Sequence, residues 1–221
     1  MKKRNGAIVT KSEVKYDKYG LKVVEENFEH ELNKQGLYRY IEMVPQVRVV
    51  PVTESGDFIL IQEFKYPQDE YILCFPAGSV EKGETSLEAA KRELEEETSL
   101  TTETFIDLGA YHPMASTLRQ DAKVFLAINV RPILMNNGDT YERSNIKTVK
   151  ASLEGLFSAI ANNRLNDGQA LAAICKVFVA MGCFHGSKPS ADAGLARTLA
   201  IGDRFDLRSI NEDAKNARLS R

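Results

Sequence analysis

Between residues 78 and 100 the chain reads GSVEKGETSLEAAKRELEEETSL, a stretch that allows little besides a helix with a crowded acidic face. Thr85 with Glu88 three residues later is the capping-box pattern of a helix start. Leu87, Ala90, Lys91 and Leu94 trace the predicted inward stripe, with Lys91 its polar member. Glu88 with Arg92, and Arg92 with Glu96, are opposite charges at i,i+4. Glu93, Glu95, Glu96 and Glu97 then crowd the same turn. Carboxylates at this spacing repel unless a cation or a basic partner offsets them. Positions i, i+3 and i+4 share a face, so Glu93, Glu96 and Glu97 point the same way. Three such carboxylates make a hard, oxygen-rich site of the kind Mg²⁺ or Mn²⁺ prefers.

Around this helix the pattern is mostly that of strands. Within residues 6–30, AIVTKSEVKY and LKVVEENFEH alternate. Residues 38–44, 47–52, 58–64 and 71–75 read as further strands, with a turn at 54–57 closing a hairpin. Residues 105–111, 123–130 and 146–149 follow as strands. From Ser152 the period changes: Leu153, Leu156, Phe157 and Ile160 mark one helix, and 169–181 a second. Strands, helix, strands, then helices predict an α+β fold, a mixed sheet with helices on its faces. With 221 residues and 43% apolar content, the chain can bury a sizeable core. Lys+Arg 29 against Asp+Glu 31 argues against a dedicated nucleic-acid surface. No apolar run reaches membrane-spanning length, and the basic N-terminus has no apolar region behind it. Cys74, Cys175 and Cys183 are too few and too scattered for a disulfide framework or a zinc site, so a cytoplasmic protein is expected.

The spacing of residues 78–100 resembles the Nudix box, G-x5-E-x7-R-E-U-x-E-E-x-G-U with U aliphatic. Gly78, Glu84, Arg92, Glu93, Leu94, Glu96, Glu97 and Leu100 stand at its specified positions. Ser99 replaces the late glycine, where a left-handed backbone costs serine a modest amount. Flanking residues resemble the ADP-ribose and nucleotide-sugar pyrophosphatases of that family. Residues 73–78, LCFPAG, are similar to their L-E-L-P-A-G, with Cys74 in the glutamate position. Residues 62–65, QEFK, are similar to E-Q-Y-R, with Lys65 in the arginine position. Tyr111-His112-Pro113 resembles their proline-bearing segment after the box.

The resemblance implies a Nudix-type α/β/α sandwich with a mixed sheet over residues 45–185. It also implies an N-terminal antiparallel β extension over 1–44, through which such enzymes form homodimers. Residues 186–221 make a polar tail with no assigned role. The implied activity is divalent-metal-dependent hydrolysis of ADP-ribose or a related nucleoside diphosphate sugar, giving a nucleoside monophosphate and a sugar phosphate. The alternatives are a Nudix hydrolase of a dinucleotide or damaged nucleoside triphosphate, and a non-catalytic nucleotide-sugar-binding sensor. A sensor predicts eroded glutamates, whereas Glu93, Glu96 and Glu97 are all present.

Residue roles follow from the same resemblance. Glu93, Glu96, Glu97 and the Ala77 carbonyl would ligate Mg²⁺, or alternatively Mn²⁺. The carbonyl is expected to be available because the glycine turn leaves it outside regular structure. Arg92 would orient the glutamates. Glu84 would bind metal through water or stabilise the helix N-terminus. Glu142, with Asp139 as fallback, is the expected general base, against the reading of a solvated loop acid; Ser144 stands where a second loop acid would fall. Lys65 and Arg119 would contact phosphate or sugar, with surface salt bridges as the alternative. Pro113 and His112 would lie against the substrate, His112 contacting the terminal sugar, with an ordinary loop residue as the alternative for His112. Phe64 or Tyr66 would stack on the base or belong to the core. Cys74 reads as a small buried residue.

Overall fold

The computed structural model describes residues 3–4, 6–30, 34–133 and 145–181. Its first unit is a meander of β1 (Lys3–Arg4), β2 (Ala7–Lys18), β3 (Leu21–His30) and β4 (Lys34–Met43). Tyr19 and Gly20 join β2 to β3 with φ of 54° and 76°, the left-handed pair that a tight hairpin needs. The predicted antiparallel extension is therefore present, but it is not self-contained. β11 (Leu118–Arg119), from the far side of the chain, adds to it in parallel against Ile41 and Glu42.

The second sheet is mixed, in the order β10-β12-β5-β6-β14. It contains β5 (Gln46–Val52), β6 (Phe58–Lys65), β10 (Thr104–Tyr111), β12 (Ala122–Ile128) and β14 (Ile146–Ala151). β5 and β12 run parallel over their whole lengths. Both are almost continuously buried, as strands covered on two faces must be. α1 (Ser86–Thr98) packs Ala89, Ala90 and Leu94 on Val47, Val49 and Phe125 of one face. α2 (Leu153–Ala161) and α3 (Gly168–Ala180) pack Leu156, Ala173, Val177 and Phe178 on Val50, Val52, Leu60 and Leu126 of the other. The result is the α/β/α sandwich expected.

After the Val52–Phe58 pair, β5 and β6 diverge. β7 (Glu70–Cys74) pairs with β6 and β8 (Ala77–Ser79) with β5, so the chain fills the wedge from both sides. A minor pair, β9 (Leu100–Thr101) with β13 (Arg131–Pro132), completes the described elements. β8 delivers residues 77–79 to the foot of α1.

Candidate active site

α1 starts as its sequence dictates. Thr85 Oγ1 accepts from Glu88 N at 3.2 Å, and Glu88 Oε2 accepts from Thr85 N at 2.7 Å. Glu88 is thus spent on the cap, and the expected Glu88–Arg92 pair does not form among the described contacts. Arg92 turns instead to Glu84, with Nε to Oε1 at 3.0 Å and Nη2 to Oε2 at 3.1 Å. Its Nη1 reaches Glu93 at 2.7 Å and Glu96 at 3.2 Å, and its Nη2 reaches the Ser79 carbonyl at 2.9 Å. One planar fork therefore ties the loop, β8 and the acidic face together. These bonds, that to Glu84 foremost, raise the Arg92 pKa, while Arg92 lowers that of Glu84. At the far end Ser99 takes φ 57° and donates its N–H to Glu95 O at 2.9 Å, the left-handed exit expected of the absent glycine.

The inward stripe differs from the predicted one. Ala89, Ala90, Glu93, Leu94 and Thr98 are buried, whereas Leu87 is 40% exposed and Lys91 is exposed. A hydrophobic pattern assigns a glutamate to the solvent side, so a helix that buries one is read a step out of phase. Glu93 is only 8% exposed.

Gly78 explains how Glu93 fits. A Cβ built on Gly78 would lie 1.8 Å from Glu93 Oε1, so any side chain at 78 would push that carboxylate aside. The left-handed glycine of this loop is Gly83, at φ 90°. The expected glycine turn at 78 is a strand, and the reason for the Ala77 carbonyl's position changes with it. Val49 N donates to Pro76 O and Val80 N to Pro45 O. Alternation along an antiparallel pair then makes Arg48–Ala77 a non-hydrogen-bonded pair, so both polar groups of Ala77 face away from β5. The N–H goes to Glu97 Oε2 at 2.9 Å.

Glu97 lies at the centre of the electrostatics. Burial pushes its carboxyl up to about 8, against the Ala77 N–H, which favours the charged form; the charges of Glu93 and Glu63 push it further up, and Lys65 opposes them. Among the described residues no three carboxylates already converge as a metal cluster, since Arg92 holds Glu93 and Glu96; the donors are nonetheless hard oxygens of the kind a divalent cation takes. Lys65 makes an ion pair with Glu63, so sequence reasoning found the lysine and missed its partner carboxylate. Phe64 is 38% and Tyr66 88% exposed, which removes both from the core; Phe64 meets Tyr71 edge-to-face at 5.4 Å. Cys74 is buried, and burial raises its thiol to about 11.

The remaining expected contacts gather elsewhere. Arg119 and His112 line a cavity of about 680 Å³ between the N-terminal sheet and residues 112–121. Arg4 and Arg119 lie over the Tyr40 ring, 5.3 and 4.7 Å from its centroid. Arg119 also pairs with Glu42, and His112 Nδ1 is 3.2 Å from Asp121. Buried Glu26 accepts from the Tyr40 hydroxyl at 3.1 Å and pairs with Arg4 at 2.9 Å. Pro113 opens the turn that leads to β11. Gln46 links the two regions, donating its N–H to Asp121 O while pairing with Ser79 of β8. Tyr40 and Glu26 carried no sequence motif; their strand alternation alone placed them on one face. Glu142, Asp139 and Ser144 lie outside the described residues, as does the tail from 186.

This geometry meets an independent likeness. Residues 43–137, which contain β8 and α1, match the NUDIX domain. Over 128 residues, 58% of this chain and 69% of the other, it is 29% identical to an ADP-ribose pyrophosphatase of Bacillus subtilis strain 168. Over 56 residues, 24% of this chain and 26% of the other, it is 51% identical to an ADP-sugar pyrophosphatase of Mus musculus. A methanol dehydrogenase activator of Bacillus methanolicus is 37% identical over 57 residues, 26% of this chain and 31% of the other. A crystal structure titled as an ADP compounds hydrolase shares the fold, with a TM-score of 0.70 at 21% identity over 83% of this chain and 98% of that one.

Proposed function

We propose that this Nudix hydrolase cleaves the diphosphate bond of ADP-ribose or a related nucleoside diphosphate sugar. Water adds to one phosphorus, the bridging P–O bond breaks, and a nucleoside monophosphate and a sugar phosphate leave. The observation that carries the reading is Glu97, a half-buried glutamate whose carboxyl lies beside Glu93 and against the Ala77 backbone, joined through Gln46 to an arginine-flanked cavity.

Glu93, Glu96, Glu97 and the Ala77 carbonyl would hold Mg²⁺. When bound, the ion neutralises phosphate charge and lowers the pKa of a bound water. Arg92 fixes the glutamates through its fork and touches no substrate. Lys65 offers a positive charge beside Glu97 for a phosphate oxygen. In the cavity Arg119 and His112 offer donors to phosphate or sugar. Glu142 takes the proton of the attacking water.

The exposed apolar residues of the N-terminal sheet, among them Val14, Tyr16 and Leu37, support a homodimer through that sheet; sedimentation as a monomer at micromolar concentration would contradict it. A cytoplasmic location is supported by the free thiols Cys74 and Cys175. No helix among the described residues is long and apolar enough to cross a membrane.

A panel of nucleoside diphosphate sugars, dinucleotides and nucleoside triphosphates, incubated with Mg²⁺ and resolved by chromatography, tests the substrate class. Nucleoside monophosphate and sugar phosphate from the first group are expected. Preferential release of pyrophosphate from triphosphates would overturn the reading.

A further inference from the structure

Arg48 has no place in the box, yet its side chain is 8% exposed and connects three parts of the molecule. Nη1 donates to the Phe75 carbonyl at 3.2 Å and lies 3.3 Å from Asp167 Oδ2. Nη2 donates to Gln169 Oε1 at 3.3 Å. Asp167 is the N-cap of α3, where it accepts from Gln169 N and Ala170 N. Gln169 Oε1 also accepts from the Tyr111 hydroxyl at 3.1 Å and from the Gln46 side chain. Among the described residues Arg48 Nε has no hydrogen-bond partner. The guanidinium is thus oriented for bridging between elements and not for its own full satisfaction.

Phe75 stands two residues before Ala77. Its ring is fully buried, and the Pro76 carbonyl beside it is held by Val49 N at 2.8 Å. Arg48 itself faces Ala77 across the β5–β8 pair. The guanidinium therefore holds Phe75 and the strand holds Pro76, the two residues that lead into Ala77. A shift of this segment would move the Ala77 N–H that holds Glu97 and the carbonyl behind it.

We infer that Arg48, braced by Asp167 and Gln169, is a positioning residue that sets residues 75–77 against Glu97 and so preorganises the cation site from the opposite face of the sheet. The inference rests on the reading of Glu97 and Ala77 as cation ligands. Lysine at 48 would keep the charge near Asp167 but would lack the planar fork needed to hold Phe75 O and Gln169 Oε1 together.

The test compares full-length wild type with Arg48→Lys. Mn²⁺ binding is read by electron paramagnetic resonance without substrate, and kcat and KM are read on ADP-ribose with Mg²⁺. Loss of an outer support of a metal site typically weakens affinity by about 10- to 100-fold. Folded Arg48→Lys is expected to raise the Mn²⁺ Kd by about tenfold and lower kcat similarly, leaving KM little changed. Phe178→Ala, which loosens the packing of α3 on α2 away from Arg48, should lower the Tm and leave the Mn²⁺ Kd alone. An unchanged Mn²⁺ Kd in folded Arg48→Lys overturns the inference, as does a wild type that binds no Mn²⁺. Should Arg48→Lys not fold, Gln169→Leu removes the shared acceptor and carries the same expectation and the same refutation. A wild type that binds Mn²⁺ but cleaves no nucleotide sugar refutes the substrate class alone; the Mn²⁺ comparison still decides the role of Arg48.

Discussion

Charge is dense in two places, the N-terminal sheet and the seam between α1 and β8, and it is handled in opposite ways. On the sheet, apart from buried Glu26 with Arg4, charges pair near water: Lys15 with Glu13 at 2.9 Å, Lys22 with Asp17 at 3.0 Å, Arg39 with Glu25 at 2.7 Å. Screened pairs of this kind contribute little to stability. On the seam, Glu84, Glu93 and Glu96 share the guanidinium of Arg92, and Glu97 is half-buried beside them against an amide. Such an arrangement costs stability when no cation is bound. The difference separates a surface built for solubility and pairing from a site built to receive charge from outside.

The comparison can be broken by substitution. Glu97→Gln keeps the shape and the neutral form already favoured by burial, so the fold should persist with a Tm close to wild type. Turnover should fall by about a thousandfold, the equivalent of roughly 4 kcal/mol of transition-state stabilisation. Near-normal kcat would place the cation elsewhere. Gly78→Ala puts a methyl where Glu93 Oε1 lies; turnover should drop by about 100-fold, in the range of misplaced catalytic groups, and a wild-type rate would show that Glu93 need not stay put. Arg92→Lys loses the fork between Glu84 and the acidic face and should cost about 10- to 100-fold in kcat/KM, as losses of ligand-orienting groups do. At the small end, Arg39→Ala should change stability by no more than about 1 kcal/mol in urea unfolding. A larger loss there would mean that the sheet's charges are structural after all.

Local signals were legible in the sequence and long-range ones were not. The Thr85–Glu88 cap and the start of α1 need only neighbours along the chain, and they stand as read. The burial of Glu93 ran against its polarity, so the stripe of α1 was placed one step off. β8 and β11 span three and two residues, too short for alternation to reveal. Gly78 was legible as a required glycine but not for its reason, because the approach of Glu93 is made by the fold. Arg48 and Gln169 meet across more than a hundred residues, and Tyr40 meets Arg4 and Arg119 through sheet pairing alone. The box specifies the chemistry locally; the elements that brace it and the cavity beside it come from topology.

The central claim is that the acidic seam works through a divalent cation, and chelation tests it most directly. ADP-ribose turnover should be lost when the protein is dialysed against EDTA and restored by added Mg²⁺, with AMP and ribose phosphate appearing together. In Glu97→Gln, Mg²⁺ should restore almost nothing. Full turnover of ADP-ribose in EDTA, or full Mg²⁺-dependent recovery in Glu97→Gln, would contradict the account.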